Sequence, residues 1–421
     1  MKTIRLLFLF CVFTSTVFAQ YSDPNFAKPQ TGYGSDGTHP VGIISFTNPN
    51  YPQKDIEIYH PLDVTTKVPT IFYSHAYGGN VSENIIGLLN FVARKGYAIV
   101  FVPYQTTGVT VYERYTNLLE GFRKASRDYP SIIDTTRVGF LGHSFGGGAS
   151  FGNALACFRD NQWGVNGRFI YALAQWYSFN IYQSDLNNFP ENTKLLTEVF
   201  DDDTTNDHRM AIDIFNNISI PASEKDFILV KSDTINGYIY AADHLVPSTT
   251  TAFDALDYYA YYRLLDALCD YTFNGNLQGK EVALGNGSAA QITMPSGLKS
   301  LQQTDAPQVK YPESKYLFPC SDAQNLRKNN CPSITEVNEL YGMEQDMTVI
   351  ANSGNRTLTI KLPNISSENN IYIFNSQGQR IFCIRQPADN SLTVDVSSFK
   401  TGVYLVAYEK YHTKFVLKGD L

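Results

Sequence analysis

Charge is scarce in this chain of 421 residues: Asp, Glu, Lys and Arg together make up 17%, and the formal net charge is -7. No run of Lys or Arg is long enough to track a phosphate backbone, which excludes a nucleic-acid partner on electrostatic grounds. Beyond the first twenty residues no stretch holds 18 uninterrupted apolar residues, so a soluble mature protein is expected. No CxxC pair and no Cys/His cluster has zinc spacing, and neither a metal nor a cofactor is predicted. What is abundant is apolar and aromatic. Hydrophobic residues reach 43% and aromatics 14%, with 28 Tyr and 27 Phe. That composition excludes disorder and suits a rigid secreted protein, and the length suggests two or three domains.

The N-terminal segment has the texture of an export signal. Lys2 and Arg5 give a basic start, Leu6 to Phe18 is apolar except for Thr14, Ser15 and Thr16, and Val17-Phe18-Ala19 precedes Gln20 with small residues at the -3 and -1 positions. A secretory signal peptide over residues 1–19 is expected, with cleavage after Ala19. The alternative, a membrane anchor, needs a longer run to cross about 30 Å of hydrocarbon. Cleavage removes Lys2 and Arg5 and takes the charge from 33 - 40 = -7 to 31 - 40 = -9. Cys11 leaves with the signal. Of the cysteines that stay, Cys320 and Cys331 bracket a polar stretch and are expected to close a small disulfide loop. Cys157 and Cys269 sit in apolar helical contexts and read as buried small hydrophobes, with a bridge between them as the alternative, while Cys383 lies in the tail.

Periodicity gives an alternating strand–helix body followed by a β-rich tail. Strands are expected at 41–46, 55–59, 69–75, 97–102, 137–141, 169–176, 194–200 and 227–231. Helices are expected at 85–94, 112–125, from the turn after 141 to about Cys157, at 207–215 and at 256–271. Strands joined by helical crossovers imply an α/β fold with a mainly parallel central sheet, whose ligands bind beyond the carboxyl ends of the strands. From Asn274 to about Gln345 the pattern weakens into an annex and linker. From Asp346, short alternating segments (TLTIKL, IYIFN, LTVDV, VYLVAYE, KFVLK) predict a small antiparallel β-sandwich domain. The expected domains are therefore 20–345 and 346–421.

Three turns carry the candidate chemistry. Gly142-His143-Ser144-Phe145-Gly146 follows the strand RVGFL and opens a helix, which is the strand–turn–helix setting of a G-x-S-x-G nucleophile elbow. Ser144 is the candidate nucleophile, and the backbone N–H of Phe145 a candidate oxyanion donor. A second donor is expected from the turn after the earlier strand, Ser74-His75-Ala76-Tyr77-Gly78-Gly79, through the N–H of Tyr77. The sequence holds seven histidines. His39 and His60 precede the central strands, His75 and His143 belong to the two turns, and His412 lies in the tail. Of the remaining two, His208 falls in a helix, whereas His244 follows the last central strand, where an elbow serine takes its base. The acid is expected after the strand LLTEVF, in the turn Asp201-Asp202-Asp203-Thr204-Thr205-Asn206-Asp207. Asp203 is favoured, Asp202 is the alternative, and Asp207 is expected to cap the helix it begins. A calcium-binding acidic loop is the rival reading of this run.

Residues 40–275 resemble the α/β-hydrolase superfamily through FYSHAYGGN, RVGFLGHSFGGG, EVFDDDTTND and AADHLVP. The nearest texture is the dienelactone-hydrolase, acetylhydrolase and cutinase-like polyesterase group. The resemblance implies a serine esterase with a Ser144–His244–Asp203 triad acting on a small-molecule or polymeric ester. It also implies that Trp176 flanks the acyl groove, against a plain core or rim aromatic. The chain departs from the cutinase pattern at Phe145, where a Met is usual, and after His244 at YYRLLDALCDYTFNG. A serine peptidase or amidase on the same fold, or a non-catalytic surface-binding protein, are the competing functions; no lid insertion is visible between Trp176 and Lys194. The tail resembles the type IX secretion C-terminal sorting domain of Bacteroidetes through IYIFNSQGQRI, LTVDV, TGVYLVAYE and the basic KFVLKG ending. That implies passage through the periplasm to the cell surface or medium by the type IX secretion machinery. A carbohydrate-binding or adhesive β-sandwich is the alternative.

Overall fold

The computed structural model describes residues 20–309, 320–323, 325–330, 347–352, 356–362, 370–375, 380–385, 391–408 and 411–417. The expected signal peptide, Cys11, Cys331 and the expected boundary at 345/346 lie outside these residues. The chain divides into two compact units, Met1–Cys331 and Pro332–Leu421.

The first unit is a mixed α/β structure around one large sheet. In chain order its strands and helices are β1 (Val41–Thr47), β2 (Asp55–Pro61), β3 (Val68–Ser74), α1 (Ile86–Arg94), β4 (Ala98–Phe101), α2 (Val111–Asp128), β5 (Ile133–His143), α3 (Phe145–Asp160), β6 (Arg168–Leu173), α4 (Gln183–Asn187), β7 (Thr193–Phe200), α5 (Arg209–Asn217) and β8 (Lys225–Val230). There follow a short hairpin of β9 (Asp233–Ile235) and β10 (Tyr238–Tyr240), a π-helical turn (Leu256–Tyr262) running into α6 (Arg263–Asn274), then α7 (Leu277–Ala283), α8 (Ala289–Ile292) and β11 (Gln302–Gln303). The nine-stranded sheet has the order β1-β2-β4-β3-β5-β6-β7-β8-β11. From β4 to β8 all neighbours are parallel, and β1, β2 and β11 add antiparallel edges.

Side-chain alternation explains how the sheet carries two helical layers. Phe72, Val100, Phe140, Ile170 and Leu195 point into one core, shared with α2, α3 and α5. Their chain neighbours Tyr73, Phe101, Leu141, Tyr171 and Leu196 point into the other, shared with α1 and α6. A strand covered on both faces reads as a continuous apolar run, and every residue of β3 is buried. Helix starts are set locally. At α2 the N–H of Glu113 donates to Thr110 Oγ1 (3.2 Å), and the Thr110 N–H donates to Glu113 Oε2 (2.6 Å).

Several boundaries differ from the periodicity. The strand expected to reach Trp176 stops at Leu173, because Ala174 turns to a φ of +42° and the N–H of Trp176 goes to Ser144 O instead of β7. The helix expected over 207–215 is displaced to Arg209–Asn217, and that expected over 256–271 is a π-helical turn plus an α-helix. The annex is not loose: β11 pairs with β8, and Gln291 and Gln303 donate to buried Asp226. Arg327 reaches both carboxylate oxygens of Asp213 at 2.6 Å. Cys320 is disulfide-bonded, while Cys157 and Cys269 are free and buried.

The second unit is antiparallel throughout the described residues. One sheet joins β12 (Thr348–Asn352), β13 (Thr357–Lys361) and β16 (Ser391–Asp395); the other has the order β15 (Arg380–Arg385), β14 (Asn370–Asn375), β17 (Gly402–Tyr408) and β18 (Tyr411–Leu417). Leu358, Ile360, Ile371, Ile373, Val406 and Tyr408 form its core.

Candidate active site

The sheet order places the candidate site. The chain runs from β3 to β4 on one side, then crosses to β5 on the other side of β3. The carboxyl ends of β3 and β5 therefore flank a switch point, with Ser74 opposite Gly142. Between β5 and α3 the backbone reverses at Ser144, whose φ of +56° is one that a residue with a side chain rarely adopts. The flanking glycines make the reversal possible. A Cβ on Gly142 would lie 2.3 Å from Gly146 O, and one on Gly146 would lie 1.9 Å from Ser74 O. The elbow is pinned on both sides: Ser144 N–H donates to Leu173 O (2.9 Å), and Ser144 O accepts from Trp176 N (2.8 Å) and Gly148 N (3.1 Å).

Ser144, His244 and Asp203 meet. The Ser144 hydroxyl lies 2.9 Å from His244 Nε2, and His244 Nδ1 lies 2.8 Å from Asp203 Oδ2. Asp203 is buried, and its other oxygen accepts the N–H groups of Thr205 and Asn206 at 2.8 Å each. Geometry thus separates three carboxylates that spacing could not. Asp203 faces His244, Asp201 pairs with Lys231 at 2.7 Å, and Asp202 is exposed. They share no common centre, which removes the basis of the calcium-loop reading. Asp207 Oδ1 accepts the N–H of Arg209 at the start of α5, where His208 donates its Nε2–H to Phe200 O.

The expected oxyanion turn lies over the elbow. Phe145 opens α3, so its N–H has no intrahelical acceptor, and among the described residues Tyr77 N–H also takes none. The rings of Tyr77 and Phe145 meet edge to face at 6.2 Å, and the Arg114 guanidinium lies over both, at 5.2 and 5.7 Å. Trp176 is half-buried beside the elbow, held to it by the backbone bond to Ser144 O.

Four supporting residues escaped the sequence reading. Asn206 Nδ2 lies 3.3 Å from Ser144 Oγ and 2.6 Å from Ala174 O. His143, read only as part of the elbow, donates its Nε2–H to the backbone oxygen of His244 (2.8 Å) and so ties the base's loop to the elbow. Burial, and then the neighbouring His244, push its pKa down to about 3. His75 donates Nδ1–H to Ala76 O (2.7 Å), which leaves Nε2 to accept the N–H of Tyr104 (3.1 Å). Tyr104 returns its hydroxyl to His75 O (3.0 Å) and stacks on the ring at 3.9 Å. Burial pushes the His75 pKa to about 3 as well. Both imidazoles are thus held neutral by burial, and His143 places no cation beside His244. A His just before or after a Gly-rich turn was the only available signal; the partners come from distant strands and loops.

Residues 352–418 match the family model of the secretion system C-terminal sorting domain. The chain carries this type IX sorting domain at its C-terminal end, and it is exported by type IX secretion to the cell surface or extracellular space. No curated protein matches the chain.

Proposed function

We propose that the first unit is a secreted serine hydrolase that cleaves carboxylic esters through an acyl-enzyme. The observation that carries this reading is the unbroken relay from Asp203 through His244 to Ser144, at 2.8 and 2.9 Å, with two free backbone N–H groups at Tyr77 and Phe145. The sheet order supports an α/β-hydrolase fold: six parallel strands with the serine turn after β5, the acid after β7 and the histidine after β8.

In this reading Ser144 Oγ attacks the acyl carbon while its proton passes to His244 Nε2. Asp203 holds the His244 Nδ1–H tautomer and stabilises the imidazolium. The carbonyl oxygen gathers charge against the N–H groups of Tyr77 and Phe145, and losing one such donor typically costs about 10²–10³ in rate. His244 returns the proton to the departing alcohol, and water, activated by the same imidazole, releases the acid. Half-buried Trp176 after the elbow, exposed Tyr77 in the oxyanion turn and exposed Leu245 beside His244 offer apolar surface near the relay, which suits a hydrophobic or polymeric ester in the manner of cutinase-like polyesterases.

Hydrolysis of p-nitrophenyl esters of increasing chain length, extended to polyester film, tests both levels. Turnover that disappears in Ser144→Ala supports the esterase. Turnover that persists in that variant defeats it, and faster cleavage of aminoacyl amides than esters would assign a peptidase instead. Activity restricted to short soluble esters removes the polymer substrate.

A further inference from the structure

Asn206 occupies a position that the relay alone does not require. Its side chain is buried, and its amide orientation is fixed by chemistry: Ala174 O, 2.6 Å away, can only accept, so the atom facing it is Nδ2. An amide nitrogen carries two hydrogens. One serves Ala174, and the other faces Ser144 Oγ at 3.3 Å. The backbone N–H of the same residue donates to Asp203 Oδ1 at 2.8 Å, which leaves Oδ2 for His244. Asn206 therefore touches the reacting oxygen directly and helps to aim the acid. Its Oδ1 is buried without a donor among the described residues, an unsatisfied polar atom of a kind that native interiors seldom keep without a role.

Resting on the esterase reading, we propose that Asn206 is a further catalytic residue, a neutral donor that stabilises the electron pair on Ser144 Oγ whenever that oxygen carries charge. Charge appears there twice. In acylation the Oγ–H proton moves to His244 Nε2 as an Oγ lone pair forms the bond to the acyl carbon and the C=O π pair moves to the carbonyl oxygen; the adduct then collapses, the C–O bond to the alcohol breaks, and the alcohol leaves with the His244 proton. In deacylation water adds to the same carbon, its proton going to His244. Collapse then breaks the C–Oγ bond, the pair returns to Oγ, and His244 gives the proton back. In both steps the Asn206 N–H stays on nitrogen and strengthens its hydrogen bond as the negative charge on Oγ grows, which is stabilisation specific to the transition state. A residue that only held the Ala174 turn would act on stability and not on these steps.

Burst kinetics with a p-nitrophenyl ester on the full mature chain separate the two steps, with the thermal transition measured in parallel. Asn206→Ala and the near-isosteric Asn206→Asp, which as the carboxylate has no hydrogen to donate, are expected to slow acylation and deacylation each by about 100- to 1000-fold, the range that one charge-stabilising donor supplies. KM for the neutral ester should change by less than about threefold in a variant that removes transition-state stabilisation alone. A folded variant of either kind with both rate constants within about twofold of wild type overturns the proposal, and so does failure of both variants to fold, which would make the residue structural. A wild-type protein that turns over no ester defeats the parent reading and this inference together, whereas active wild type with unaffected variants defeats this inference alone.

Discussion

The two units solve the packing problem in opposite ways. The second buries Leu358, Ile360, Ile371, Ile373 and Val406, and among its described residues no polar or charged side chain is buried except the hydroxyls carried by its tyrosines. The first buries Ser74, His75, His143, Ser144, Glu198, Asp203, Asn206 and Asp257 within or beneath its sheet. Burying such groups is unfavourable unless each finds a partner. This antiparallel β unit, with its apolar core, carries the sorting domain. A body that keeps imidazoles, carboxylates and an amide inside, and holds Ser144 at a φ of +56°, concentrates unfavourable burial and backbone strain at one place, as functional sites do.

The comparison breaks most visibly at the acid. Asp203→Asn should lower kcat for ester hydrolysis by about 10⁴-fold, because the amide stabilises the wrong His244 tautomer, while Asp202→Asn should stay within about twofold, as its exposed side chain supports no partner at the relay. Equal losses from both would dissolve the distinction that the geometry makes. Deleting residues 346–421 should divide the two units functionally. The truncated protein is expected to accumulate in the periplasm by cell fractionation yet keep its specific activity within about twofold, as a sorting domain outside the chemistry implies. Gly146→Ala should destabilise by more than about 3 kcal/mol in a denaturant titration, since a Cβ there would lie 1.9 Å from Ser74 O. No described glycine of the second unit meets backbone within 3 Å in this way.

A smaller effect follows from the buried imidazoles. His75 and His143 have folded pKa values pushed down to about 3, below the unfolded value of about 6.5. Between those limits the unfolded chain binds more protons, so stability is retained above about pH 6.5 and falls as the pH drops, by about 1.4 kcal/mol per pH unit for each histidine. Buried Glu198 acts in the opposite sense. Its folded pKa is pushed up to about 8 by burial, so its contribution declines as the pH rises from about 4.5 to 8. Thermal melts from pH 4 to 9 on wild type, His75→Gln and Glu198→Gln would separate these terms. A wild-type acid limb that His75→Gln leaves unaltered would contradict the assignment.

How much of this was legible depended on whether a feature is local. Ser144 could be read because the G-x-S-x-G pattern lies within five residues, although only Gly142 is forced by the turn itself; Gly146 is forced by Ser74 O on β3. The six buried parallel strands were legible from their continuous apolar runs, and His244 from the shortage of alternatives. The acid was not unique, because three adjacent Asp residues point in different directions only once β7 and β8 fix the turn. Asn206, Tyr104 and the second role of His143 carry no local signal, since each acts through a partner between about 30 and 100 residues away. The end of β6 was misplaced for the same reason: after Ala174 turns to a φ of +42°, the N–H of Trp176 goes to Ser144 O at the elbow.

In the proposed chemistry one serine hydroxyl is activated by one imidazole. The most direct measurement is fluorophosphonate labelling of the folded mature chain, with the adduct located by peptide mass spectrometry. A single adduct is expected on Ser144, formed at least about 100-fold more slowly in His244→Ala. An adduct on a different residue, no adduct on folded protein, or a Ser144 adduct indifferent to His244 would contradict it.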